Sequence, residues 1–75
     1  MKFEIYSAVD TRDNKPTLWL VSLDDSLVAL FNSKTAPSRI KRNSLSPNFI
    51  VWEHGLNFDL FADAPIMIDS WEWPE

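Results

Sequence analysis

His54 is the one side chain in this sequence whose ordinary pKa lies near neutrality, which makes it the sole candidate general base. Nucleophilic catalysis would pair it with a serine and an orienting acid, and Glu53 is adjacent. Neighbours in a strand point to opposite faces, so Glu53 is badly placed to orient His54. A turn at His54-Gly55 accounts for both residues without catalysis. Asp24-Asp25 is a carboxylate pair that could hold a cation or share a proton, but a solvated turn is the commoner fate of such a pair. Asp59 and Asp63 with His54 form the only set for metal-assisted hydrolysis. One His and no Cys would leave zinc with carboxylates for its remaining ligands, and 59–69 lacks the central glycine of a calcium loop. A single glycine also excludes the common phosphate-cradling loops. The expectation is no enzyme, no cofactor, no metal site and no small-molecule substrate.

Charge is the more informative pattern. All seven basic residues lie in the first 42, with five acids, giving 7 − 5 = +2. From residue 43 onward there are six acids and no base, giving −6 and the total of −4. Six of the ten aromatics sit in that acidic part. This asymmetry suits a surface that meets a basic partner. Trp71 and Trp73 alternate around Glu72 and in an extended tail would share a face. Tryptophan is enriched at binding hot spots, and flanking acids steer a basic protein toward it. The candidate contact set is therefore Asp59, Asp63, Asp69, Trp71, Glu72, Trp73 and Glu75. The competing reading folds both indoles into a small core. An alternative function uses Lys34, Arg39, Lys41 and Arg42 on nucleic-acid phosphates. Against it, the aromatics accompany the acids and not the bases.

These residues need elements to position them. Residues 2–9 alternate, with Phe3, Ile5 and Val9 on one face, and predict a strand. Polar turn residues follow at 10–16, then a strand over 17–23. Residues 27–31 are read as a third strand in preference to a helix capped near Ser22. Pro37 suits the first turn of a short helix, with Thr35 or Ala36 just before it. The runs 48–53 and 56–61 flank His54-Gly55 and predict a β-hairpin. Residues 66–69 suggest a last short strand, leaving 70–75 as an acidic-aromatic tail beyond a single 1–69 domain. The predicted core is Phe3, Ile5, Val9, Leu18, Leu20, Leu27, Leu30, Ile50, Trp52, Phe58, Leu60 and Ile66.

Seventy-five residues bury only about 60% of their unfolded surface, so the margin of stability is thin and large aromatics must supply much of it. No apolar run approaches a membrane span, and the acidic start Met1-Lys2-Phe3-Glu4-Ile5 does not suit a signal peptide. The absence of Cys accords with a reducing compartment, and the expected location is the cytoplasm.

Val51-Trp52, Gly55 and Asp59 match the spacing of a family of small bacterial domains of unknown function, often encoded beside toxin-like proteins. In that family an extended run ends in Val-Trp, with a turn glycine three residues on and an Asp four later. Leu18 to Asp25 resembles its earlier strand and turn, whereas 32–47 and the end after Asp69 have no counterpart. The resemblance implies a small α+β domain with an antitoxin-like or accessory role and carries over no catalytic residue. The fold expected is α+β: a small antiparallel sheet of four to five strands with one short helix or helical turn. The function expected is a stoichiometric protein-binding module, a monomer or homodimer. It would be an inhibitor of phage, antitoxin or immunity type that binds a basic surface of a host or defence protein.

Overall fold

The computed structural model describes residues 1–24, 27–43, 50–53 and 55–72. The alternating N-terminal run forms β1 (Lys2–Asp10), and the next apolar run forms β2 (Lys15–Ser22) antiparallel to it. Their turn is organised by Asp10, whose carbonyl accepts from Asp13 N–H at 3.3 Å and Asn14 N–H at 2.7 Å. Asn14 takes a φ of 58°, a left-handed value that Asn tolerates better than most residues. Residues 27–32 pair with β2 as β3 (Leu27–Asn32), so the strand reading prevails over the helical one. After it, α1 (Pro37–Asn43) opens on proline, which gives up no hydrogen bond there. Arg39 and Ile40 N–H donate to Ala36 O at 3.0 and 3.3 Å, as the first turn requires. Lys41 and Arg42 lie in the last turn of α1, where cations complement the helix dipole.

The sheet has four antiparallel strands in the order β3-β2-β1-β4, the last being β4 (Ala62–Glu72). Register sorts the side chains to two faces. Phe3, Ile5, Leu18, Leu20 and Ala29 fall on one, covered by Ile40 of α1, by Ile50 and Trp52, and by Trp71 from β4. On the opposite face Ala8, Trp19 and Val28 pack with Tyr6, Leu30, Leu56, Phe58 and Phe61. Trp19 is wholly buried there, its indole N–H donating to Ala8 O at 3.3 Å. Covering both faces lets a short chain bury large rings without one thick core.

Three expectations fail. The hairpin over 48–61 does not form as predicted, although Gly55 does adopt a positive φ of 78°. Glu53 instead bridges to Val28 of β3, and 58–61 close a helical turn, α2 (Phe58–Phe61). His54 and 48–49 lie outside the described residues. The cause is local: Asn57 Oδ1 accepts from Leu60 N–H at 3.1 Å, an N-cap, and Asp59 sits in the first turn. Helical spacing also places Phe58 and Phe61 together on the second face, which strand alternation would have opposed. Leu60 is consequently exposed.

The last strand is the second correction, running from Ala62 through Glu72 and not only over 66–69. The boundary expected between 69 and 70 therefore falls inside a strand. Trp71, expected in a tail, is 7% exposed and packs on Phe3 with ring centroids 5.5 Å apart. The third correction is the core. Ile66 is exposed and Val9 and Leu27 are only half-buried, while Ala8, Trp19, Val21, Val28, Ala29, Ile40 and Trp71 join it.

Trp71→Ala is expected to cost about 3–5 kcal/mol in urea unfolding, as removal of a large ring from a packed site does. Asn57→Ala is expected to cost about 1 kcal/mol, the usual value of an N-cap, in the same measurement.

Candidate functional site

The two edges of the sheet are unequal. The outer edge of β3 is met at Val28, whose carbonyl accepts from Glu53 N–H at 2.8 Å. No described strand lies outside β4. Backbone accounting shows which of its groups face out. Leu23 N–H donates to Lys2 O at 3.0 Å, so Lys2 and the alternate residues Glu4, Tyr6 and Ala8 turn their polar groups toward β2. Phe3, Ile5, Ser7 and Val9 then face β4, where their partners Trp71, Asp69, Ile66 and Asp63 turn inward. Met67, Ser70 and Glu72 are left with N–H and C=O directed away from the sheet. Ser70 N–H is taken by Asp69 Oδ1 at 2.8 Å.

The N-terminal part of β4 is shaped differently. The register shift between Ser7 and Val9 of β1 falls here, Ala64 has a φ of 48°, and Pro65 follows without an N–H. These features break the edge up to Pro65, and a second shift, between Ile5 and Tyr6, leaves Ile68 as an extra residue between Met67 and Asp69. Beyond Pro65 the side chains of Ile66, Met67 and Ile68 are 66%, 52% and 43% exposed, three large apolar groups in succession. Asp63 and Glu72 are exposed and Asp69 half-buried, so carboxylates bracket the apolar run.

An open cleft of about 490 Å³ is lined by residues of β1, β2, β3 and the 55–59 segment, among them Glu4, Tyr6, Val28, Leu56, Phe58 and Asp59. Tyr6 pairs with Met67 of β4, and its hydroxyl donates to Glu4 Oε1 at 2.9 Å. Burial, the Glu4 hydrogen bond and the charges of Glu4 and Asp59 raise the Tyr6 pKa above 10.0. Its phenol therefore remains a donor at neutral pH. Tyr6 and Phe58 lie 4.7 Å apart between centroids, giving the cleft an aromatic floor with acids at its rim. Such a surface is complementary to cationic groups.

The other predicted residues are dispersed. Asp59 belongs to α2 and to the cleft, whereas Asp63, Asp69 and Glu72 line β4. Trp71 faces the core, with Lys41 Nζ 5.7 Å from its ring centroid. Trp73 and Glu75 lie outside the described residues, as does Asp25. Asp24 acts structurally, accepting from Lys2 N–H at 3.2 Å and meeting the terminal ammonium at 3.5 Å. Lys34, Arg39 and Arg42 are exposed around α1, but Lys41 is drawn onto Trp71. Among the described residues no three of His, Cys, Asp and Glu gather as a metal site, and no helix is long and apolar enough to cross a membrane. The Ile66–Ile68 surface was not anticipated. Its signal was the run itself, because three consecutive large apolar residues in a strand cannot all face one core.

Asp10 ties the β1–β2 turn to α2. Its carboxylate is 4% exposed overall as a residue and accepts from Arg12 N–H, Nε and Nη2 at 2.9, 3.1 and 2.8 Å. The Arg12 guanidinium then lies 5.4 Å from the Phe61 ring centroid, and Thr11 N–H donates to Phe61 O at 3.0 Å. Comparison with protein families, with curated proteins and with solved structures finds no match to this chain.

The Arg12 hydrogen bonds lower the Asp10 pKa below 3.8 against the opposing effect of burial. A depressed carboxylate stabilises the fold above its unfolded pKa and loses that contribution as pH falls through the folded value. The melting temperature of the native chain is therefore expected to exceed that of Asp10→Asn by a constant margin at neutral pH. The margin should shrink as pH falls below 3.8. A margin independent of pH would show that ionisation of Asp10 does not matter.

Proposed function

We propose that this protein acts stoichiometrically and without catalysis, binding the basic surface of another protein along the β4 side of its sheet. The observation that carries the reading is the exposed Ile66–Ile68 run bracketed by Asp63, Asp69 and Glu72 on an edge strand. Apolar groups supply buried area on contact, and the surrounding carboxylates select a cationic counterpart and speed its approach. Glu4 and Asp59 extend the same negative field across the neighbouring cleft. The role first expected of Trp71 passes to these exposed side chains, because its ring stays in the core. A small acidic binder of this kind suits an inhibitor of phage, antitoxin or immunity type, directed at a host or defence protein and working in the cytoplasm.

The test compares capture of proteins from a cell lysate by the native chain and by an Asp63→Lys, Glu72→Lys variant, at low and moderate salt. Both positions are exposed, so the melting temperature should hold. Capture of the same partner should fall roughly tenfold and weaken with salt. An Arg39→Glu, Arg42→Glu variant should capture normally. The reverse pattern would sink the reading and transfer binding to the basic α1 side.

A further inference from the structure

We propose, resting on that reading, that the partner engages by strand addition: an extended, lysine- or arginine-bearing segment pairs its main chain with β4 over 66–72. An edge strand with unpaired outward N–H and C=O groups is a template for another strand, and such pairing supplies main-chain hydrogen bonds that side-chain contact alone does not. Met67 and Glu72 turn both groups outward, and among the described residues nothing takes up their N–H groups. They lie opposite Tyr6 and Lys2 of β1, four positions apart, because the bulge at Ile68 takes up one residue of β4; the span is about 13 Å, which a segment of about five residues covers. Ser70 offers its carbonyl, while Asp69 holds its N–H.

Pro65, without a donor, and Ala64, with its positive φ, close this window on its N-terminal side. Within it the added strand would lie beside Ile66, Met67 and Ile68 and find Asp69 and Glu72 as counter-charges. Apolar and basic side chains in alternation fit this arrangement. A second copy of this chain fits worse. Pairing β4 with itself would bring Asp63, Asp69 and Glu72 of both copies along one seam, with no base after Arg42 in either to offset them.

The probes are two short peptides that alternate lysine with valine. One is unmodified, and the other is N-methylated at every backbone amide so that it keeps its charge but neither of its edges can pair. The intact ¹⁵N-labelled protein is titrated with each and followed by amide shifts and hydrogen exchange. The unmodified peptide should shift the Met67 and Glu72 amides and slow their exchange at least about tenfold. The methylated peptide should bind about tenfold more weakly, the effect of losing two or so net hydrogen bonds. Equal affinity of the two peptides overturns strand addition and leaves charge-led binding at β4 intact. Binding of neither also overturns it, and the parent reading then stands or falls on the Asp63→Lys, Glu72→Lys capture. Protection of the same amides without peptide, rising with protein concentration, makes a second copy the occupant and overturns the choice of a basic one.

Discussion

Pairing of β4 with β1 is the contact on which the remaining architecture depends. It brings Trp71 opposite Phe3, so that the second aromatic layer of the core comes from the far end of the sequence. It also makes β1 an internal strand, hydrogen-bonded on both sides, with Ile5 wholly buried. Once β1 and β2 are central, both faces of the sheet carry large apolar groups and both must be covered. The segments between β3 and β4 perform that task, Ile40 and Ile50 over one face and Leu56 and Phe58 over the other. Connections that look irregular in sequence are thus the lids of a two-sided core.

This arrangement also separates two properties that are mixed along the chain. The acidic C-terminal part alternates rings with carboxylates, and folding sorts them. Trp71, Phe58 and Phe61 turn toward the sheet, whereas Asp59, Asp63 and Glu72 remain at the surface. Among the described residues of β4, what reaches solvent is acidic and aliphatic, with Ile66, Met67 and Ile68 exposed and the Trp71 indole buried. Lys41 over the Trp71 ring and Arg12 over the Phe61 ring bring cations from the basic part back against aromatics of the acidic part.

The first two strands were legible from period-two alternation and the turn residues between them, whereas the third strand competed with a helical reading and the helix at Pro37 rested on a proline suited to a first helical turn. At 56–61 two local signals competed. Leu56, Phe58 and Leu60 alternate as in a strand, yet Asn57 is placed to cap a helix. The cap prevailed because the resulting turn seats Phe58 edge-on to Trp19 with Phe61 beside it. Of the candidate site, the acids of β4 were identifiable from charge alone. Of the apolar run, Ile66 was assigned to the core and proved exposed, and Trp71 was assigned to the surface and proved buried.

The amino-acid sequence by itself determined the antiparallel, strand-rich character of the protein, its segregation of charge, and a composition with one glycine, one histidine and no cysteine. Those properties reside in local periodicity and composition. Only the tertiary structure decided that β4 is the outermost strand, that Trp71 points inward, and that Met67 and Glu72 direct backbone groups to solvent. The reason is that register and strand order follow from pairing between residues far apart in the chain. A shift of one position exchanges every inward side chain for an outward one, and nothing within a single strand fixes that choice.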